Sequence, residues 1–260
     1  MIPECRTIRE DILKVSHASG HGHIPSCFSV VEILYALYSV MKHNPRDPSW
    51  DGRDMFILSK GHAALALYCT LARFGYFPVE RVYSFGAFES DFGCHADRLT
   101  IPGVEASTGS LGHGIGLAVG MALAFKLKNN DRKVYTVVGD GEANEGTVWE
   151  AIQVADSLNL DNLTIIYDNN LSHSRGLQVR QPERKLEAFG CAVREVAGHD
   201  VVALKEALTD RSDKVNAIVA NTVKGFGCAT LEQGQYEWHR KSPDKELLKI
   251  LLEELNAASI

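Results

Sequence analysis

The chain of 260 residues lacks several features that would place it in a common class of protein. No apolar run reaches about 18 residues, so the sequence does not predict a membrane span. The first residues, from Met1 to Arg6, do not form the pattern of a signal peptide. The net charge is −6 and the basic residues are mixed with acidic ones, so no basic stripe indicates a nucleic-acid partner.

The six cysteines form neither a CxxC pair nor the spacing of a metal site. We therefore interpret them as reduced thiols and expect a cytoplasmic protein. Hydrophobic residues make up 45% of the chain, which is enough to bury a sizeable core. The sequence has no low-complexity segment, no clear repeat and no break in composition. We therefore expect one domain that spans residues 1–260.

Apolar runs alternate with helical patterns along most of the chain. The runs predict strands at residues 133–138, 163–167, 192–196 and 215–220. Helical patterns occupy residues 7–18, 61–74, 112–128, 145–157, 201–209 and 244–256. Ser29 and Glu32 resemble a capping box that opens a further helix to about Tyr38. This alternation predicts an α/β fold, a doubly wound and mainly parallel sheet with helices on both faces.

Two oxygen-bearing side chains follow neighbouring strands of the predicted sheet. Asp140 lies in Gly139-Asp140-Gly141, directly after one apolar run, and Asn170 follows the next run. In open α/β sheets, ligands bind at the carboxyl ends of the strands. Carboxylate and amide oxygens suit a hard cation such as Mg²⁺, and a glycine lets the backbone approach a phosphate. An isolated Gly-Asp-Gly is commonly a plain turn, but the two strand contexts favour a cation that holds a diphosphate.

Five segments, in the same order, resemble motifs of the transketolase family. The most specific is Gly139-Asp140-Gly141-Glu142-Ala143-Asn144-Glu145-Gly146, followed by Tyr167-Asp168-Asn169-Asn170. The other segments are residues 22–26, 58–64, 102–114, and 223–225 with 238–239. Together they cover nearly the whole chain, which resembles the N-terminal, diphosphate-binding part of a transketolase.

The resemblance implies a thiamine diphosphate cofactor with Mg²⁺, or with another divalent cation such as Ca²⁺. Asp140, Asn170 and the carbonyl oxygen of Ser172 would be the metal ligands. Gly139 and Gly141 would lie beside the diphosphate.

The same resemblance implies positions for the remaining cofactor contacts. Gly109 and Leu111 would face the aminopyrimidine ring, while His62 and His239 would line the diphosphate and the reaction centre. Glu145 matches an interface glutamate, so a role in coupling the subunits is implied for it.

Four of the ten histidines fall in the matched motifs, and the resemblance implies that they are catalytic: His23, His62, His95 and His239. A neutral imidazole can accept or donate a proton near pH 7, as ketose cleavage requires. His23 and His95 would contact the sugar hydroxyls, and His21 is an alternative alignment for His23. His113 stands where many relatives have glutamine, and its role stays open.

The implied reaction is the transfer of a two-carbon ketol unit from a ketose phosphate to an aldose phosphate. Cys94 and Arg240 depart from the family pattern, as do Ser174 and Arg175. These departures leave a second hypothesis open, transfer to a carrier-bound acceptor in specialised metabolism. A third hypothesis is a regulatory subunit that binds the cofactor without turnover.

The length of the chain predicts a partner. Complete transketolases are much longer, and their pyrimidine-binding domain supplies a glutamate that activates the cofactor. We expect that domain and the C-terminal domain on a second chain, so that the active unit is a heterotetramer with two copies of each chain. An artificial boundary of the chain is the competing explanation.

Overall fold

A five-stranded parallel sheet forms the centre of the computed structural model, which describes residues 1–172, 176–234, 237–239 and 241–258. The strands are β1 (Met55–Leu58), β2 (Val134–Gly139), β3 (Leu163–Asn169), β4 (Ala192–Ala197) and β5 (Asn216–Asn221). They lie in the order β1-β2-β3-β5-β4, and every neighbouring pair is parallel. The predicted parallel α/β sheet is therefore confirmed.

Helices cover both faces of the sheet. Within the described residues they are α1 (Pro3–Ser19), α2 (Ile24–Ser29), α3 (Val31–Val40), α4 (Ala64–Arg73), α5 (Gly114–Leu127), α6 (Gly146–Ser157), α7 (Pro182–Ala188), α8 (Val201–Thr209), α9 (Ala229–Gln233) and α10 (Lys245–Ala257). None of these helices is both long and apolar enough to cross a bilayer.

Successive side chains of each strand point to opposite faces, which produces two separate apolar cores. On β2, Tyr135 and Val137 belong to a core with α1, α2, α3, α4, α8 and α10. Val134 and Val138 belong to the other core, with α5, α6 and α7. Because both faces are covered, the central strands carry apolar residues on both faces, as is typical of buried parallel sheets.

The predicted capping box at the start of α3 is wrong. The helix begins at Val31 with Val30 as its N-cap and no side-chain cap. Ser29 instead donates a hydrogen bond to Asp168 (2.8 Å), and Glu32 forms a buried ion pair with Arg9 (2.5 Å). Both side chains are therefore used in contacts between distant parts of the chain.

The glycine-rich start of α5 lets the helix approach the segment that follows β1. A Cβ atom on Gly114 would lie only 2.7 Å from the Cα atom of Ser59, so a larger residue does not fit. A Cβ atom added to Gly116 or to Gly120, further along α5, would have no atom within 4 Å. Of these three glycines only Gly114 permits a close approach, at the helix start next to the carboxyl ends of the strands.

Candidate cofactor site

A cavity of about 550 Å³ lies at the carboxyl ends of the strands. Its walls come from several segments and include His23, Ser26, Lys60, His62, Gly109, Leu111, Gly139, Asp140, Gly141, Glu142, Asn170, Ser172, Gly176 and Lys224. Nine of these are site residues named from the sequence. Small-molecule sites have volumes of this order, and this edge of an open α/β sheet is where ligands bind.

The three expected metal ligands are neighbours in this cavity. Asp140 accepts hydrogen bonds from the backbone N–H of Gly141 (2.7 Å) and from the hydroxyl of Ser172 (2.6 Å). The side-chain oxygen of Asn170 accepts one from the backbone N–H of Ser172 (3.0 Å). One carboxylate and one amide oxygen thus converge beside the Ser172 main chain, and such oxygens suit a hard divalent cation. Among the described residues no group of three or more His, Cys, Asp or Glu side chains could hold a metal, so a cation here depends on amide or main-chain oxygens.

Two buried lysines, Lys60 and Lys224, line the same cavity. Burial lowers the pKa of Lys224, and the charge of Lys60 lowers it further, while Asp140 and Asp168 oppose the shift. A bound anion would offset the repulsion between the two ammonium groups. The cavity therefore suits a ligand that carries a diphosphate. Neither lysine was predicted from the sequence to have a role in the site.

Asp168 accepts hydrogen bonds from several segments around the cavity, and no role was predicted for it from the sequence. Its fully buried carboxylate accepts hydrogen bonds from Lys60 (2.5 Å), Ser29 (2.8 Å), Thr222 (2.5 Å) and the amide of Asn170 (2.9 Å). Because the Asn170 nitrogen donates to Asp168, its oxygen is turned towards Ser172. The available signal was an acidic residue at the end of a buried strand, where an unpaired charge would be costly.

Glu142 joins two walls of the cavity. Its carboxylate accepts hydrogen bonds from the hydroxyl of Ser59 (2.6 Å) and from the backbone N–H groups of Gly112 (2.9 Å) and Gly139 (3.0 Å). Burial raises the pKa of Glu142, although these hydrogen bonds and the charge of Lys60 oppose the rise. The turn that carries Leu111 is thereby held against the end of β2.

The turn at Gly109 depends on the absence of side chains. Gly109 has a φ of +149°, and a Cβ atom on Gly61 would lie 2.7 Å from the Gly109 nitrogen. The ring of His95 lies against Gly109: a Cβ atom added to Gly109 would be only 2.9 Å from the Cδ2 atom of His95. His95 is exposed and lies next to the cavity wall.

Two histidines lie close together in the lining of the cavity. The ring centroids of His23 and His62 are 5.8 Å apart, and both residues line the cavity. His23 has a φ of +71°, which is strained for a residue other than glycine and is found mainly at functional sites. His21, the alternative to His23, instead packs against Phe85 and lies 3.7 Å from the sulfur of Cys94.

The structure leaves some expected residues outside the cavity. Glu145 is exposed beside Gly112 at the start of α6. His113 is also exposed, and its ring contacts the carbonyl of Leu111 (3.0 Å). Burial raises the pKa of the Cys94 thiol. Only the backbone of His239, in a short 3-10 turn, is described, and the departures at Ser174, Arg175 and Arg240 lie outside the described residues.

The sheet is parallel, and its strand ends carry oxygen-bearing side chains, a glycine turn and two buried lysines. These features define an α/β protein suited to a phosphate-containing ligand. The family model "Transketolase, thiamine diphosphate binding domain" matches residues 1–250. The chain therefore belongs to the transketolase family, as the sequence motifs predicted, and it is a transferase of that family.

Curated relatives include proteins of similar length. The chain is 38% identical to an apulose-4-phosphate transketolase subunit of Actinobacillus succinogenes, over 97% of this chain and 94% of that protein. It is 35% identical to the 6-deoxy-6-sulfo-D-fructose transketolase subunit SqwG of a Clostridium species, with the same coverage of both chains. Both relatives are named as subunits of a transketolase, which implies a partner subunit.

A solved transketolase from Campylobacter jejuni has the same fold. It superposes with a TM-score of 0.90 at 32% identity and covers 97% of this chain. The chain spans 42% of the length of that transketolase.

Proposed function

We propose that this chain is the N-terminal, diphosphate-binding subunit of a two-component transketolase. With its partner it transfers a two-carbon ketol unit from a ketose phosphate to an aldose phosphate. The observation that carries the proposal is one cavity in which the oxygens of Asp140 and Asn170 face the same space as the buried ammonium groups of Lys60 and Lys224. Family membership points to thiamine diphosphate as the ligand that combines a diphosphate with a metal.

The donor set fits this cofactor with Mg²⁺ or a similar divalent cation. Asp140, Asn170 and the carbonyl of Ser172 would hold the cation, while Lys224 would face the diphosphate and Lys60, paired with Asp168, would lie beside it. Gly139 and Gly141 would allow the diphosphate to approach the backbone, and Gly109 and Leu111 would form the wall for the aminopyrimidine ring. When bound, thiamine diphosphate supplies the electron sink that a carbon–carbon cleavage beside a carbonyl requires.

The histidines of this chain would handle the protons of the sugar. His23 and His62 lie close enough to reach one substrate between them, because their ring centroids are 5.8 Å apart. In the proposal His62 and His95 orient the C1 hydroxyl, and His23 serves the acceptor. His239 is assigned by its place in the family motif. Neutral imidazoles can donate or accept at these positions near pH 7.

Exposed apolar side chains support a second chain as partner. On α5, Leu117 and Leu127 are 47% and 74% exposed, while Val154 on α6 and Leu158, which directly follows that helix, are 47% and 40% exposed. Apolar surface of this kind commonly marks an interface between proteins. We propose that the partner carries the pyrimidine-binding and C-terminal domains, that residues 1–260 form one domain, and that two copies of each chain assemble. Glu145, exposed at the start of α6, would couple the subunits.

The proposed location is the cytoplasm. All six cysteines are free thiols, and five of them are buried. Disulfides are rare in that compartment because thiols are kept reduced there.

The proposal is tested by an assay of two-carbon transfer with this chain by itself, with a candidate C-terminal partner by itself, and with the two mixed. Donors are a panel of ketose phosphates, and acceptors are aldose phosphates and a carrier-bound acceptor, because the named relatives differ in their sugar. We expect turnover only in the mixture and only with thiamine diphosphate and a divalent cation. Turnover by this chain without the partner would contradict the two-component proposal. Transfer to a carrier-bound acceptor alone would show that the acceptor is not an aldose phosphate.

A further inference from the structure

A buried ionic network lies behind the cavity. Arg9, on α1, is fully buried and donates two hydrogen bonds to the carboxylate of Glu32 on α3, at 2.5 and 2.7 Å. The same guanidinium donates to the carbonyl of Phe28 at 2.8 Å. Phe28 lies on α2, and α2 contributes Ser26 to the cavity wall. The network is therefore attached to one wall of the cavity.

His199 extends this network to a second wall. Its Nδ1 atom lies 2.8 Å from Glu32, and its Nε2 atom lies 2.8 Å from the backbone nitrogen of Val223. A backbone N–H can only donate, so Nε2 must be the acceptor and carries no hydrogen. The ring is then neutral, with its hydrogen on Nδ1 donated to Glu32. Glu32 thus sets the tautomer that lets His199 hold the main chain.

The segment held by His199 is the loop 222–228, which directly precedes α9. Besides the Val223 contact, Thr222 donates to Asp168 (2.5 Å) and Gly225 donates to the carbonyl of Pro25 (3.1 Å). The ring of Phe226 stacks on His199, with centroids 3.7 Å apart and planes 9° apart. Lys224, between these anchored residues, is the loop's contribution to the cavity lining. The direction of Lys224 therefore depends on how firmly the backbone on either side of it is held.

We propose that His199 is a positioning residue, set in one tautomer by Glu32 and Arg9, that holds the loop 222–228 so that Lys224 faces the cavity. His199 does not line the cavity itself and acts through the backbone of Val223. Its effect on ligand binding rests on the proposed function, because that proposal assigns Lys224 to the diphosphate. Its effect on the loop does not depend on any ligand.

Two substitutions separate the hydrogen bonds of His199 from its packing. His199→Phe keeps a ring to stack on Phe226 but removes the acceptor for Val223. His199→Gln restores one donor and one acceptor in a single side chain. His43→Phe is the matched control, because His43 is also half-buried, stacks on Tyr76 and bonds to the carbonyl of Tyr38 (2.8 Å). His43 follows Lys42, whose carbonyl accepts a hydrogen bond from the backbone N–H of Asp54 at the amino-terminal end of β1. His43 therefore lies at the opposite end of the sheet from the cavity.

The first measurement uses the full chain without ligand. In ¹⁵N-histidine spectra, His199 is expected to show a hydrogen on Nδ1 and none on Nε2 at pH 7.5. Hydrogen exchange of the peptide that covers residues 222–228 is expected to be about tenfold faster in His199→Phe, since one hydrogen bond is lost. His199→Gln is expected to recover most of the protection, and His43→Phe to leave this peptide unchanged. A hydrogen on Nε2, or equal exchange in His199→Phe and the parent, would overturn the proposal.

The second measurement is a calorimetric titration of the chain with thiamine diphosphate and Mg²⁺, with the partner chain present. His199→Phe is expected to weaken binding about tenfold and His199→Gln about threefold or less, in the same order as the exchange rates. Unchanged binding in His199→Phe, despite faster exchange, would overturn the link from His199 to Lys224. If the parent protein did not bind the cofactor, the proposed function would fail, while the exchange data would still decide the role of His199.

Discussion

The Asp168→Asn substitution tests how much the buried ion pair between Asp168 and Lys60 stabilises the fold. Asp168 is fully buried and Lys60 is 1% exposed, and their charged atoms are 2.5 Å apart. The substitution keeps the size of the side chain but leaves the Lys60 ammonium buried without its counter-ion. Removing one partner of such a pair costs about 3–5 kcal/mol of unfolding free energy. A neutral amide also cannot accept all four hydrogen bonds that the carboxylate now receives from Lys60, Ser29, Thr222 and Asn170.

The assay is urea unfolding at pH 7.5 followed by tryptophan fluorescence. Asp131→Asn is the control, because Asp131 pairs with Lys42 at 3.4 Å where the two side chains are 86% and 57% exposed. That change is expected to cost less than about 0.5 kcal/mol. The double variant Lys60→Met/Asp168→Asn is expected to recover about 1–3 kcal/mol relative to Asp168→Asn, because neither member of the pair is then charged. A cost below about 1 kcal/mol for Asp168→Asn, or no recovery in the double variant, would refute this electrostatic account.

Two further predictions concern acid stability and the glycine turn. Burial favours a raised pKa for Glu32, but the charge and hydrogen bonds of Arg9, together with the contact from His199, outweigh it and hold the pKa at about 2, below its usual 4.5. The resulting stabilisation is present above about pH 4.5 and is lost as the pH falls towards 2. The Glu32→Gln variant is therefore expected to be less stable than the parent at pH 6. In urea titrations its unfolding free energy is expected to change less between pH 4.5 and 2.5 than that of the parent. Gly61→Ala is expected to weaken calorimetric cofactor binding at least tenfold, because its methyl group would lie 2.7 Å from the Gly109 nitrogen. Gly116→Ala is the control, because there is open space around Gly116, and it is expected to raise the unfolding free energy by about 0.5–1 kcal/mol. An equal loss of cofactor affinity in both glycine variants would show that the close contact between Gly61 and Gly109 is not the cause.

The parts of the fold that the sequence predicted correctly are those with a strong local pattern. The strand β2 follows an unbroken apolar run, and α8 has the same bounds as the predicted helix, 201–209. The strand β1 (Met55–Leu58) was missed because four residues are too few to show a period. The capping box failed because Ser29 and Glu32 find stronger partners elsewhere in the fold.

The same distinction applies to the site. Asp140 and Asn170 could be named because each directly follows a recognisable strand within a family motif. The roles of Asp168 and Glu142 in the site could not be predicted from the sequence, since they depend on hydrogen-bond partners that are distant in sequence. Lys60 is 108 residues from Asp168, and Gly112 is 30 residues from Glu142. Only the folded sheet brings these groups together.

The most direct test of the central claim is a calorimetric titration with thiamine diphosphate, with and without Mg²⁺, of the chain mixed with its partner. We expect tight binding only when a divalent cation is present. We also expect a loss of about a hundredfold or more in Asp140→Ala, because that substitution removes the one carboxylate assigned to the metal. Equal affinity in the presence of EDTA, or tight binding that survives Asp140→Ala, would contradict the claim that this cavity holds the diphosphate through a metal ion.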